Sequence, residues 1–395
     1  MANSTPHAAP NKPSFWNDPQ KRGILIQALV LAAIFAFFAY IFHNTLSNYA
    51  QRGISTGFGF LSNSAGFGIS QTLIPYQESD SYWQVFKVGL LNTLLVAGLG
   101  IVTATILGFI VGVARLSKNW LLSTSAAVYI ETFRNIPVLL QIVFLYAVLL
   151  KVLPAAKDSF SFADAVFLNK RGFYIPEPIP QQGFDWTIWA FVLAIVIVLA
   201  LRWIARKVQE KTGQQWPIFW IGLALIIGAP LLTYFITGRP LDWSFPELKG
   251  FNFQGGVRVI PELVVLWVAL SIYTAAFIAE IVRSGIQSVS HGQTEAASAL
   301  GLKHNQTLKL VVIPQAMRVI IPQLTSQYLN LTKNTSLATA IAYPDLVAVF
   351  AGTTLNQSGQ AIEIIFMTML FYLTVSLLIS LFMNWYNAKM ALVER

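Results

Sequence analysis

The stretch TEAASALGLKHNQTLKLVVIPQA, residues 294–316, interrupts a chain otherwise built of long apolar runs. Thr294 is a side chain that caps helix N-termini, and Glu295 in the first turn suits the positive end of the helix dipole. Glu295, Ala296, Ala297, Ser298, Ala299 and Leu300 are mostly strong helix formers, and Gly301 supplies a stop. So short a helix is not stable alone in water and must pack on something. Asn305 is expected to cap a second helix, which Pro314 and Pro322 would kink as it enters the next apolar run. Two readings stand at this point. The short helix is a re-entrant turn packed on its own subunit, or it is a surface offered to another protein.

The rest of the chain decides where this loop sits. Of 395 residues, 55% are hydrophobic and only 11% are charged, against about a quarter charged in soluble domains. That shortage, in long uncharged runs, specifies an all-α polytopic membrane protein. The first apolar run, 24–42, is too long for a signal-peptide core and long enough to span a ~30 Å hydrocarbon layer. Seven further spans are expected near 87–113, 122–150, 186–204, 217–237, 258–282, 308–332 and 362–386. With the N-terminus inside and eight spans, Arg115, Lys118, Arg202, Arg206, Lys207, Lys211, Arg283, Lys303 and Lys309 fall on the inner side. Acids lean the other way: Glu78, Asp80, Asp158, Asp164, Glu177, Asp185, Asp242 and Glu247 all fall outside. The positive-inside rule then accounts for the net charge of +9 without invoking nucleic acid. It also places 294–316 and both termini in the cytoplasm. The polar, proline-containing tail 1–23 is expected to be disordered, 43–86 to be an outer loop, and 387–395 an inner tail. The chain has no cysteine, so it has no disulfide and no thiolate chemistry. Its histidines, at 7, 43, 291 and 304, are too scattered for a metal site.

Charged groups inside spans cost roughly 2.5 to 3.5 kcal/mol each at the bilayer centre and so mark candidate function. Glu131 and Arg134 lie three apart, on one helix face, in YIETFRNIPVLLQI. Asn135 and Pro137 follow, so the helix is expected to break there and free backbone groups to line a cavity. A cavity with one carboxylate, one guanidinium and open amides would match both ends of an amino acid; an internal ion pair that fixes packing is the other reading. Glu280 and Arg283 repeat the spacing near the inner end of the sixth span, where a structural ion pair is the better reading. Asn334, Thr335 and Ser336 either line a pathway or cap a helix end. Asp345 and Glu262 read as loop or interface residues.

Glu-Ala-Ala at 295–297, three residues, Gly301, then Ile313-Pro314 resembles the EAA loop of ABC-importer permeases. It falls in the right loop, on the expected cytoplasmic side, ahead of the last two spans. SIYTAAFIAEIVRSGIQSVSHGQTEAASALGL and NLTKNTSLATAI look like the polar amino acid (His/Glu/Gln/Arg/opine) branch of that family. GLLNTLLVAGLGIVTATILGFIVGVARLS (89–117) and ETFRNIPVLLQI (131–142) look like the start of the same core. The extra first span and the inserted segment 186–237 are similar to the general L-amino-acid permease subunits within that branch. The resemblance implies a type I importer permease core over 87–386, in a bacterial inner membrane. It implies three kinds of protein partner: ABC ATPase subunits, a second homologous permease and a periplasmic amino-acid-binding protein, with lipid around them. It further implies that Glu295, Ala296, Ala297, Leu300, Gly301, Ile313 and Pro314 couple to the ATPase. The substrate pathway would then draw on Glu131, Arg134, Asn135, Pro137, Asn334, Thr335 and Ser336. ATP and Mg would sit on the partner subunits, because this chain has no GxxxxGK[ST] phosphate loop and is expected to bind no cofactor. An ion-coupled carrier would instead show broken-helix repeats and a titratable relay, and an intramembrane enzyme a Ser–His, paired-Asp or HExxH set; no such pattern stands out.

Overall fold

A computed structural model describes residues 19–51, 56–250 and 252–390. The chain is mostly helical. The first long helix, α1 (Pro19–Gln51), is exposed to its surroundings along its apolar length. It begins earlier than expected, so Pro19–Gly23 of the predicted disordered tail are helical; the rest of that tail lies outside the described residues. Likewise Asn387–Met390 of the expected C-terminal tail belong to the last helix.

The core is a pair of long helices, α2 (Tyr82–Arg115) and α7 (Pro261–Gln287). They run parallel and very close. A Cβ placed on Gly108 would lie 2.5 Å from Ile278 Cγ2, and one on Gly112 would lie 2.7 Å from the Ala279 carbonyl oxygen. Lipid tails are as apolar as leucine, so helices in a membrane associate through such close backbone approach rather than through a hydrophobic drive. Trp267 Nε1 donates to Thr103 Oγ1 at 3.0 Å across the same seam. Leu266, Ala269, Leu270, Ala275 and Ile278 of α7 are fully buried.

Between these helices lie α3 (Trp120–Asn135) and α4 (Val138–Val152), bent by 105° at Ile136-Pro137. Asn119 caps α3 by accepting from Leu121 N and Leu122 N. At about 24 and 22 Å, neither helix alone spans a ~30 Å core. Together they cross once. Arg115 at the end of α2 donates to Ser123 Oγ of α3, beside the far end of α7. Tyr146 of α4 donates to Glu262 Oε1 at 2.7 Å, in the first turn of α7. The expected span 122–150 is therefore a broken span. Counting it as one, the described residues hold eight helical crossings.

Past α4 the chain forms short strands that were not foreseen. β1 (Phe160–Phe162), β2 (Val166–Asn169), β3 (Gly172–Ile175) and β8 (Val257–Val259) make an antiparallel sheet in that order. β4 (Glu177–Pro180) pairs with β5 (Leu241–Ser244), and β6 (Glu247–Lys249) with β7 (Asn252–Gln254). The β4–β5 ladder clamps the base of a helical hairpin, α5 (Phe184–Thr212) and α6 (Ile218–Ile236). The hairpin therefore leaves the strand side and returns to it. Its two helices pack chiefly on each other.

After α7 comes α8 (His291–Ala299), then a helix that changes gauge: α9 (His304–Thr307), a π-helical turn at Leu308–Val312, α10 (Ile313–Asn334) and a 3₁₀ turn at Thr335–Ile341. Pro314 removes one backbone donor and would clash with the carbonyl a turn earlier; the wide turn before it absorbs the misfit. A second π turn, Val347–Thr354, runs into α11 (Leu355–Ser358), and α12 (Ala361–Met390) closes the bundle.

Asp345, read as a loop or interface residue, is fully buried. Its Oδ1 accepts from Ala348 N at 2.9 Å, starting the π turn. Its neighbours are tied to α2, where Asn92 Nδ2 donates to the Pro344 carbonyl and Leu346 N donates to Thr93 Oγ1. The segment after α10 is thus folded into the bundle, not laid over it.

The seam predicts a stability effect. Gly108→Val, pressed against Ile278, should destabilise by about 1–3 kcal/mol and lower the melting temperature of the solubilised protein. Gly98→Val, with nothing within 4 Å of its added Cβ, should melt like the parent. Equal melting of both variants would show that the seam is not closely packed.

Candidate functional site: a polar seam and an exposed short helix

One face of α10 carries Gln323, Gln327, Asn330 and Asn334, spaced by four, three and four residues. That spacing puts four amides in one stripe. Beside it, Ile320, Ile321, Leu324 and Leu331 form an adjoining apolar face buried in the core, and Ala316, a turn before Ile320, is buried as well. The amides meet α7 across two adjoining cavities. One, of about 360 Å³, lies among Arg134, Phe277, Glu280, Gln323, Ser326 and Gln327. The other, of about 240 Å³, lies among Tyr273, Thr274, Phe277, Gln327, Asn330 and Asn334. Phe277 and Gln327 belong to both, so the two form one seam along the helices. Gln323, Ser326 and Asn330 are exposed, which leaves the seam open on one side.

Arg134 reaches this seam from the break in the third span. Its guanidinium stacks over Phe277, 5.3 Å from the ring centre. It does not pair with Glu131, which sits a turn back and takes a hydrogen bond from Asn135 Nδ2 at 3.3 Å. The carboxylate that shares a cavity with Arg134 is Glu280. Glu280 is at the same time held by Arg283, which grips both carboxylate oxygens, Nε at 2.9 Å. Two guanidinium groups against one carboxylate leave the wide end of the seam net positive. Of the pathway candidates, Arg134 and Asn334 line the seam. Glu131, Asn135 and Pro137 shape the break behind it. Thr335 is buried and donates to the Thr332 carbonyl, and Ser336 donates to the Lys333 carbonyl, so both are occupied by their own helix.

The break needs a donor that the sequence reading missed. Pro137 frees backbone carbonyls at a depth where water cannot satisfy them. Gln141, one turn into α4 and buried, donates through Nε2 to the Phe133 carbonyl at 3.0 Å and the Ile136 carbonyl at 2.8 Å. The signal was present: an amide a turn after an Ile-Pro in an apolar run has few other purposes.

At the opposite end from the strands, α8 lies against the π turn before α10. It starts at His291, with Ser290 as the flanking residue, so Thr294 is not its cap. Thr294 instead donates to the His291 carbonyl. The helix is therefore nine residues long, a turn more than expected. Its stop is where the sequence put it. Gly301 takes φ +77°, Leu302 N donates to the Ala297 carbonyl and Gly301 N to the Ser298 carbonyl, a Schellman closure. Asn305 is not a cap either: Lys303 flanks α9, and its N–H donates to Gln306 Oε1. Ala297 is buried beneath α8, while Ala296 and Leu300 face out, Leu300 82% exposed. Glu295 is exposed and meets His291 Nδ1 at 3.0 Å. Ile313 is half exposed and Pro314 partly buried beside the π turn.

A polar seam between helices of a membrane-crossing bundle is the arrangement of a membrane permease. Residues 212–392 match the family described as the inner membrane component of binding-protein-dependent transport systems. Over 97% of both chains the protein is 55% identical to YhdX of Escherichia coli K12, which bears the name of an amino-acid ABC transporter permease. It is 52% identical to AapQ, a general L-amino acid transport system permease of Rhizobium johnstonii, over 96% of this chain and 94% of that one. It is 41% identical to BztB, a glutamate/glutamine/aspartate/asparagine transport system permease of Rhodobacter capsulatus, over 96% of each. The chain belongs to the multi-pass inner membrane permeases of amino-acid ABC transporters.

The break supplies a prediction. Gln141→Leu leaves the Phe133 and Ile136 carbonyls at the bend without this donor and should cost about 1–3 kcal/mol, read as a lower melting temperature of the solubilised protein. Parent-like melting would show that the bend is held by other contacts.

Proposed function

We propose that this chain imports amino acids by alternating access, as one of two permeases driven by a separate ATPase. The observation that carries the reading is the polar seam. Amides and charges at membrane depth face a bundle interior or water, not lipid. Here the seam is open on one side, so a second, homologous permease closing it would complete a pathway. Arg134, in a net-positive end, suits the carboxylate that every amino acid carries. The amides toward Asn334 offer both donors and acceptors to polar side chains, in keeping with the substrates in the names of AapQ and BztB. Among the described residues, Glu280 is the carboxylate that lines the seam, and it is already held by Arg283; a proton relay would need more than one such group, which favours ATP drive over an ion-coupled carrier.

Coupling is assigned to α8. A bulky apolar side chain as exposed as Leu300, on a helix pinned at Ala297 and stopped at Gly301, is a contact surface for another protein. Glu295, Ala296, Leu300 and Gly301 form that surface; Ile313 and Pro314 pass its movement through the π turn into α10. The ATPase carries ATP and Mg; this chain carries neither. The strand side faces outward and receives the amino-acid-binding protein. α8, the α5–α6 turn and both termini are cytoplasmic.

In proteoliposomes holding the full transporter, Leu300→Asp or Glu295→Arg should cut ATP-driven uptake at least tenfold while membrane insertion is unchanged. Unaltered uptake in both would remove the docking role. Arg134→Ala should reduce amino acid uptake far more than it reduces ATPase co-purification. Unchanged uptake kinetics would make Arg134 structural.

A further inference from the structure

The inserted α5–α6 hairpin plays no role in the seam, and it has a groove of its own. A cavity of about 480 Å³ lies between its helices, floored by Val198, Ile218, Phe219, Gly222 and Ile226, with Arg202 at its rim. A Cβ on Gly222 would come within 3.1 Å of Val198 Cγ1, so the glycine keeps this groove open. The uncharged portion of α5 runs only from Trp186 to Leu201, about 24 Å. Arg202 therefore sits where the hydrocarbon layer ends, level with the first turns of α6. Beyond it come Arg206, Lys207 and Lys211, opposed on that end of the helix by Glu210. Arg202 and Arg206 have no acidic partner among the described residues, whereas Lys207 is committed to the Trp203 ring at 3.6 Å. Trp203, Trp216 and Trp220 surround the same level, the position that interfacial tryptophans favour.

We propose that this groove binds an anionic phospholipid of the cytoplasmic leaflet, one acyl chain lying on the apolar floor and the phosphate held by Arg202 and Arg206. The charge and the apolar lining together select the occupant. A neutral headgroup would leave the cations unmatched, and an apolar helix from a partner would not neutralise them.

The test is lipid retention by the full transporter, purified from membranes containing phosphatidylglycerol and phosphatidylethanolamine and read by native mass spectrometry. The parent should retain phosphatidylglycerol preferentially. Arg202→Gln should lower that preference about fivefold, the factor that ~1 kcal/mol per basic residue near an anionic surface corresponds to. Gly222→Leu, which fills the groove and leaves every charge in place, should abolish retention. Lys207→Gln should change little. Equal retention of both lipids by the parent, or no effect of Arg202→Gln and Gly222→Leu, would overturn the proposal. So would displacement of the bound species by soluble glycerol phosphate, or loss of the second permease from the Arg202→Gln complex, which would make the groove a protein interface.

Discussion

A bilayer does not solvate amides, and α10 carries four of them along one face. Everything else in the core answers that constraint. The apolar face of α10 is sunk against α7, α7 is drawn onto α2 by Gly108 and Gly112, and the amide stripe is left facing Arg134 and Glu280. A single subunit leaves the flank of the stripe open, so the proposed pathway and the proposed pairing rest on the same physics.

The break at Ile136-Pro137 serves the same end. A straight third span would carry Arg134 along a helix face. The 105° bend ends α3 just past Arg134 and aims its guanidinium over Phe277. Gln141 satisfies the carbonyls that the bend exposes. Placement of the Arg134 charge at the bend thus rests on one amide and one proline.

Much of this was written in the sequence. Apolar runs located the crossings, Asn135 and Pro137 announced the break, and Gly301 marked the end of α8. What escaped has identifiable causes. Strands of three or four residues rich in proline and aromatics, such as Glu177–Pro180, have no period to detect. The start of α8 was masked because Thr294 looks like a cap and His291-Gly292 does not look like a helix. Asp345 read as a loop residue because polarity reports burial only through partners, and its partners lie far back on α2. Glu131 was matched with Arg134 by spacing, yet the tertiary fold brought Glu280 to the guanidinium instead. The amide stripe was legible as a repeat of four, three and four, but it shows only once α10 is seen to run unbroken through Pro322.

The chain has no cysteine, so single cysteines can be placed along α10 without background. In the assembled transporter, cysteines at Gln323, Gln327, Asn330 and Asn334 should react with a water-soluble maleimide, and their reactivity should change on adding ATP and substrate. Those at Ile320, Leu324 and Leu331 should stay inert. Uniform reactivity around the helix, or an inert amide face, would contradict the assignment of this stripe to the pathway.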